Sequence, residues 1–315
     1  MAIISIIIPL FNKELFIKQT LLSVLNQTFS EFEIIIINDG STDKSVTIIN
    51  DIDDKRITLY TTKNKGVSYA RNYGISKANT DLIAFLDADD LWEPNHLENL
   101  HTLYTNFPNC GLYATNYHKQ FFYGKKIKTH FNGVSKDHFG IIDDYFLAST
   151  SDSIAWSSAV MIPKKIFHEL GGFDEAMRSG QDTDLWIRIA LNKSIAFSAV
   201  ASSNKIILEP EYHLSYSSNR IDRLRLFEKF KDVEISNNSF KKYMNLNRFS
   251  VALERKIAGD FSSYIQLKKE IDLKNLNFNQ RLLLNTPSVC IKLLKQLQCL
   301  LLRYDIYLSP YKIGT

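Results

Sequence analysis

The chain has 315 residues, 45% hydrophobic and 23% charged, a globular composition that leaves room for one large domain and a smaller one beside it. Its net charge of +4 hides a split: residues 1–204 carry 19 Lys+Arg against 23 Asp+Glu, a balance of −4, while residues 205–315 carry 19 against 11, a balance of +8. Three cysteines (Cys110, Cys290, Cys299) are too few and too scattered for a disulfide framework or a zinc site, and no run reaches the roughly eighteen apolar residues of a membrane span.

In chain order, MAIISIIIPLFN opens without a basic leader or a small-residue cleavage site, and Pro9 ends its apolar run, so it does not read as a signal peptide. A protein kept in the reducing cytoplasm is expected. Ile3–Leu10, Glu33–Ile37 and Leu82–Leu86 are short runs of Ile, Leu and Phe without polar alternation, the pattern of strands covered on both faces. Between them Leu15, Ile17, Leu21, Leu22, Val24 and Leu25 recur at helical spacing. Val46, Ile48, Ile49 and Ile52 do the same after Ser41-Thr42-Asp43, as does Val67–Ala78. With Ile57–Tyr60 between the last two, the alternation is that of a mainly parallel, doubly wound α/β sheet flanked by helices.

Tyr113–His130 is aromatic and polar, a hairpin or an excursion. Gly133–Ser153 reads as loop or short helix, Ile154–Pro163 as a strand and Gly171-Gly172-Phe173-Asp174 as a turn. Asp182–Leu191 has a helical apolar face, Ile206–Tyr212 is expected to be a strand, and from about Ile221 the chain is mostly helical. The organisation expected is a catalytic domain over 1–220, with a nucleotide-binding half (1–115) and an acceptor half (116–220), and a helical C-terminal extension over 221–315.

In sheets of this kind ligands bind beyond the carboxyl ends of the strands. Asn38-Asp39-Gly40 and Asp87-Ala88-Asp89 both follow strands. A single Asp there caps a helix or makes a turn. Three, at Asp87, Asp89 and Asp90, repel one another, and a hard divalent ion such as Mg²⁺ or Mn²⁺ with oxygen ligands would offset that repulsion.

Five motifs follow one another: Ile-Pro-Leu-Phe-Asn (8–12), Ser-Val-Leu-Asn-Gln-Thr (23–28), Glu-Ile-Ile-Ile-Ile-Asn-Asp-Gly-Ser-Thr-Asp (33–43), Asn-Lys-Gly-Val-Ser-Tyr-Ala-Arg-Asn (64–72) and Phe-Leu-Asp-Ala-Asp-Asp (85–90). Their order and spacing closely resemble the family 2 glycosyltransferases of the GT-A fold. The resemblance is dense over residues 3–92, resumes at Gly172-Phe173-Asp174 and Gly180–Trp186, and is absent from the last hundred residues. It implies inverting transfer of a sugar from a nucleotide-diphosphate donor, with UDP expected as the nucleotide, to an acceptor hydroxyl in cell-surface polysaccharide synthesis.

Residue by residue, the resemblance implies that Pro9, Phe11 and Glu14 flank the nucleoside and that Asp39 accepts the uracil N–H. The family more often has Tyr where Phe11 stands and Asp where Asn38 stands. Arg71 would meet the diphosphate, which a guanidinium can grip through two oxygens, and Lys65 is a further candidate there. Asp89 would bind Mn²⁺ or Mg²⁺ directly, Asp87 the ribose or metal-bound water, and His213 is a further metal or diphosphate candidate. Asp182 matches the base that takes the acceptor's proton, at a helix start that favours its ionised form. Asp184 is the alternative base. Trp156 and Trp186 could wall a sugar ring, although a tryptophan at the helical spacing of Trp186 is more often core.

Near the C-terminus Cys290, Leu293, Leu294, Leu297, Leu300, Leu301 and Tyr304 share a helical face opposite Lys292, Lys295, Gln296 and Arg303. Such a helix suits an anionic membrane surface, the catalytic domain or a second subunit of a homo-oligomer. The expected partners are a nucleotide-sugar donor and a glycan or lipid-linked acceptor, with peripheral contact at the inner face of the plasma membrane. A nucleotidyltransferase would need a Gly-rich loop that cradles a triphosphate, which Pro-Leu-Phe-Asn-Lys is not. Nucleic-acid binding lacks a recognisable module. A non-catalytic nucleotide-sugar-binding or scaffold protein is the remaining alternative.

Overall fold

In the computed structural model, which describes residues 2–121, 124–207 and 222–303, the isoleucine-rich runs become strands without a polar face. β1 (Ile4–Leu10) is buried at every position and β2 (Phe32–Asn38) at all but one, as strands covered by helices on both sides must be. α1 (Ile17–Leu25) connects them, and α2 (Ser45–Asn50), β3 (Ile57–Thr61), α3 (Val67–Lys77) and β4 (Leu82–Phe85) continue the alternation.

These strands are parallel, in the order β3-β2-β1-β4. β1 pairs with β2 as far as Leu10 and Asn38, but with β4 only as far as Ile7 and Phe85. The chain leaves β1 on one side of the sheet order and β4 on the other, so the carboxyl ends of these two strands form the switch point where such sheets take ligands. Pro9, which has no N–H to give a neighbour, lies past the last β1–β4 pair.

The remaining sheet is mixed. It contains β5 (Leu91–Trp92), α4 (His96–Asn106), β6 (Leu112–Phe121), β7 (Lys126–Lys128), β8 (Phe139–Ile141), α5 (Tyr145–Ala148), β9 (Val160–Pro163), α6 (Lys164–Leu170), α7 (Gln181–Asn192) and β10 (Ile195–Ile207). β9 runs antiparallel to both β4 and β6, while β6 and β10 are parallel. The aromatic stretch resolves into an antiparallel hairpin of β6 and β7.

Two expected strands differ. Residues 157–159 form a 3-10 turn before β9, where the Ser158 carbonyl accepts from Trp92 Nε1 (2.6 Å) and its hydroxyl donates to Asp90 Oδ2 (2.6 Å). The strand expected at Ile206–Tyr212 begins instead at Ile195, and 208–212 lie outside the described residues. Register shifts around Ala201, in the polar stretch Ser198–Asn204, break the alternation by which such a strand is recognised.

The chain divides into two units, Met1–Tyr145 with Asp152–Asp222, and Phe146–Ser151 with Arg223–Thr315. In the second, α8 (Asp222–Lys229), α9 (Val233–Ser236), α10 (Asn238–Ala258), α11 (Phe261–Glu270), α12 (Phe278–Asn285) and α13 (Ser288–Arg303) follow in turn. Asn237 caps α10, Asp260 caps α11, and Asn277 with Gln280 forms a capping box on α12. The core of this unit gathers on α10, where Phe240, Met244, Phe249 and Ala252 are buried and Phe146 meets Phe240 edge-on at 4.7 Å.

In the first unit, α3 lies directly on β1 because Gly74 permits it: a Cβ there would come within 2.5 Å of Ile7 Cγ2. Gly74→Ala should cost about 1–3 kcal/mol through overpacking, less up to ~1 kcal/mol regained in helix propensity. A calorimetric melt should show Tm lower by about 2–4 °C per kcal/mol lost. A Tm at or above wild type would mean that the two elements are not in contact at Gly74.

Candidate functional site

The carboxylates after β4 meet cations supplied by the chain. Arg71, brought in by α3, places Nη2 2.6 Å from Asp87 Oδ1. Lys13, in the loop after β1, places Nζ 2.6 Å from Asp89 Oδ2. Asp90 turns inward and is almost fully buried, its Oδ1 accepting from the Ile206 N–H (3.0 Å) and its Oδ2 from Ser158 Oγ (2.6 Å). Burial pushes its pKa well above the usual Asp value, and the charges of Asp89 and Asp87 add to this against the two hydrogen bonds. Repulsion within the cluster is thus met by two protein cations and by burial of the third carboxyl, a solution the sequence spacing alone did not show.

Arg71 itself is buried, at 3% exposure, with its guanidinium 5.2 Å from the centroid of the Phe173 ring. Its Nε and Nη1 find no hydrogen-bond partner among the described residues. Buried donors left unpaired cost on the order of 1–3 kcal/mol each, so this side chain is held in a state suited to an anion.

Asp39, at the end of β2, is buried and satisfied. Its oxygens accept from Thr62 Oγ1 (2.9 Å), the Lys65 N–H (3.0 Å) and the Gly66 N–H (2.7 Å). It therefore shapes the loop that starts α3. Lys65 is exposed, with Nζ 4.2 Å from the Tyr69 ring centroid. Glu14 Oε2 accepts the Lys44 N–H (2.8 Å) at the start of α2, tying the loop after β1 to the loop after β2. Pro9 is buried and Phe11 half-buried beside them.

One face of α3 reaches the segment that leads into α7. Ser68 Oγ donates to Met177 O (3.2 Å), Arg71 lies over Phe173, and Asn72 clamps Phe173 from both sides, Nδ2 to its carbonyl (2.9 Å) and Oδ1 from its N–H (3.0 Å). Residues 68, 71 and 72 are neighbours on a helix. Asp182 sits in the first turn of α7 behind Gly180, half-buried, accepting the Thr183 N–H (2.7 Å). Asp184 is fully buried and paired with Arg188 at 2.8 Å, while Arg188 also donates to the carbonyls of Leu170 and Gly172. It thus anchors the glycine turn, and of the two carboxylates only Asp182 keeps access to solvent.

The tryptophans are both interior. Trp156 packs on Tyr117 at 4.7 Å with Lys205 Nζ 5.5 Å from its ring, and Trp186 meets Phe173 edge-on. His213 lies outside the described residues. Lys13, Asn72 and Ser158 were missed by sequence reasoning. Lys13 directly follows the first motif (8–12), but its partner becomes visible only once β1 and β4 are known to be adjacent.

Among the described residues no group of three or more His, Cys, Asp or Glu is arranged as a metal site, and no helix is long and apolar enough to cross a membrane.

The profile of Glycosyl transferase family 2 matches residues 5–171. An uncharacterized glycosyltransferase of Haemophilus influenzae is 50% identical over 101 residues, 31% of this chain and 40% of that protein. One of Rickettsia typhi is 29% identical over 223 residues, 69% of this chain and 66% of that one. The chain thus spans less than two thirds of the length of these curated relatives. Among solved structures, S. aureus TarS 1-349 in complex with UDP-GlcNAc superposes with a TM-score of 0.63 at 18% identity, covering 84% of this chain and 79% of TarS 1-349. The complex of the same protein with UDP gives 0.53 over 67% and 62%. The fold is that of the GT-A enzymes, as the motif order implied.

Asp90 gives a pH signature in metal-free buffer. The unfolded chain releases this proton near the ordinary Asp value of about 4, the folded protein only well above it. Between the two the folded state holds more protons, so the group's contribution to stability falls as pH rises. Asp90→Asn keeps the shape and removes the titration. In urea melts its stability relative to wild type should therefore improve as pH rises above about 4, and a constant difference would show that Asp90 is ionised in the folded protein.

Proposed function

Because the chain belongs to glycosyl transferase family 2, we propose that it is an inverting, metal-dependent glycosyltransferase moving a hexosyl or N-acetylhexosaminyl group from a UDP-sugar to an acceptor hydroxyl. The acceptor class proposed is a glycan or lipid-linked glycan in cell-surface polysaccharide synthesis. The observation that carries the reading is Arg71, buried, bound to Asp87 and left with two unpaired donors at the switch point of the sheet. A guanidinium so placed matches the oxygens of a diphosphate. The choice of UDP draws on the TarS complexes with UDP and UDP-GlcNAc.

In this reading Pro9, Phe11 and Glu14 flank the nucleoside, Lys65 approaches the diphosphate, and Asp39 faces the base. A carboxylate offers about four acceptor positions, and protein groups already use those of Asp39. Base recognition there would share or exchange one of these bonds. The residues present also suit a divalent ion. Asp87 and Asp89 are the carboxylates open to solvent, at 33% and 16% side-chain exposure, and Mg²⁺ commonly takes one or two carboxylates and completes its shell with substrate phosphates and water. When bound, the ion would offset the charge growing on the departing diphosphate.

The acceptor oxygen attacks the anomeric carbon opposite the leaving group, a C–O bond forms as the bond to the diphosphate oxygen breaks, and the nucleoside diphosphate leaves with the electron pair. Asp182 receives the acceptor's proton. It sits in the first turn of α7, and α3 holds the segment before it.

The helical unit suits a peripheral site on the inner face of the plasma membrane. Leu293, Leu294, Leu297 and Leu300 of α13 are 46–59% exposed, and residues 273–303 carry five cations (Lys274, Arg281, Lys292, Lys295, Arg303) and no Asp or Glu. Each such cation adds about 1 kcal/mol at an anionic surface. The full chain should float with vesicles containing phosphatidylglycerol and stay behind with purely zwitterionic ones. Equal behaviour with both would remove the membrane assignment.

The reaction is tested by a thermal-shift panel of UDP-, GDP- and dTDP-sugars with Mn²⁺, followed by donor hydrolysis with the best binder. Asp182→Asn should leave UDP affinity nearly unchanged and lower turnover by about two to four orders of magnitude, the span for loss of a general base. Unchanged turnover would move the base elsewhere.

A further inference from the structure

Asp89, assigned above to the metal, already has a cation. Lys13 Nζ lies 2.6 Å from Oδ2, and both side chains are largely buried. The geometry points to Lys13 as a displaceable counter-ion: it occupies Asp89 while the donor site is empty, opposes binding of a divalent ion alone, and moves to the donor's diphosphate when ion and nucleotide arrive together. This rests on the donor-site reading just given.

Three observations carry it. The first is charge. The carboxylates of Asp87 and Asp89 are balanced by Arg71 and Lys13. A divalent ion alone would leave this cleft with an excess of about two positive charges, and a sugar diphosphate alone with about two negative. Only both together restore the balance. An ammonium and a metal ion competing for one carboxylate in a cleft of low dielectric repel strongly, so the ammonium yields.

The second is the contrast between the two cations. Arg71 is enclosed, planar and held over Phe173, so it stays in place and offers the donors it has spare. Lys13 carries a point charge on a flexible four-carbon stem.

The third is the way the backbone of Lys13 is held by the loops around it while its ammonium is held at Asp89. Its N–H donates to Ser45 Oγ (2.9 Å). Asn12 before it takes the left-handed conformation (φ 50°), its N–H donating to Ser41 Oγ (3.0 Å) and its Oδ1 accepting the Thr42 N–H (2.8 Å). With the loop anchored, the transfer of Nζ from Asp89 to a phosphate oxygen in the same cleft is a side-chain rotation. No loop has to open.

The test is a calorimetric titration of Mn²⁺ into the full chain, with and without saturating UDP, for wild type, Lys13→Met and Lys13→Gln. Electron paramagnetic resonance of free Mn²⁺ provides a second measure. Wild type should bind Mn²⁺ about tenfold or more tightly with UDP than without. Both variants should bind Mn²⁺ alone about tenfold more tightly than wild type, gain less from UDP, and show a rise in Tm with Mn²⁺ alone that wild type lacks. If the variants bind Mn²⁺ alone no better than wild type while UDP still enhances binding in all three, Lys13 is not the counter-ion and the donor-site reading survives. If no protein binds Mn²⁺ even with UDP, the metal reading fails and takes this inference with it.

Discussion

Charge balance at the carboxyl ends of β1 and β4 is the constraint on which the rest of the site depends. Three carboxyl groups in four residues follow a fully buried strand, close enough to repel one another. Each receives a different answer: a guanidinium for Asp87, an ammonium for Asp89, and burial with two hydrogen bonds for Asp90. Removing a partner from a largely buried pair costs more than the pair contributes, because an uncompensated charge stays behind. The two cations come from separate elements, the loop after β1 and the middle of α3. Both elements must therefore be in register with β4 before the cluster can exist, and the parallel pairing of β1 with β2 and β4 fixes that register.

The role of α3 follows from the same requirement. Its first turn is organised by Asp39, which accepts from the backbone of Lys65 and Gly66 where a helix start leaves N–H groups unpaired. Its underside approaches Ile7 at Gly74. Its opposite contacts, through Ser68, Arg71 and Asn72, fix Met177 and Phe173. One helix thereby joins the residue assigned to the base of the nucleotide, the cleft assigned to its diphosphate, and the segment that delivers Asp182. Such a connection lets the donor and acceptor sides of the proposed reaction keep one geometry without a dedicated loop between them.

Much of this was legible in the sequence where local chemistry decides it. The isoleucine runs announced strands with two covered faces, and the motifs announced the family, because both are written in consecutive residues. What stayed hidden depends on pairs far apart in the chain. Lys13 and Asp89 are separated by 76 positions, Asn72 and Phe173 by 101, Asp90 and Ile206 by 116. The apolar pattern reads a residue's own element and says nothing of which polar group faces it across the sheet. The same limit explains Asp184. Its spacing from Asp182 made it an alternative base, while its actual task, holding Arg188 against the carbonyls of Leu170 and Gly172, belongs to a turn fourteen and twelve residues earlier. Bulges hid β10 for a related reason, since each shift of register reverses the faces on which alternation is read.

The second unit pairs its charges along α10, as Arg248 with Glu234 and Arg255 with Asp260 show, but not toward its C-terminal end, and this bears on the membrane contact proposed for it. At the cleft of the first, Asp87 and Asp89 are each paired with a cation. In the second, the stretch from Leu273 to Arg303 has cations alone, on and around a helix whose leucines remain exposed. Two identical faces of this kind brought together would set like charges against each other, so self-association through α13 works against its own electrostatics. An anionic surface has the complementary charge, and an acyl boundary takes the leucines. Exposed leucines cost free energy in water, and a lipid interface would cover them while adding the attraction of anionic headgroups for the cations. That argument is independent of the catalytic residues, and on it rests the peripheral membrane contact proposed for the helical unit.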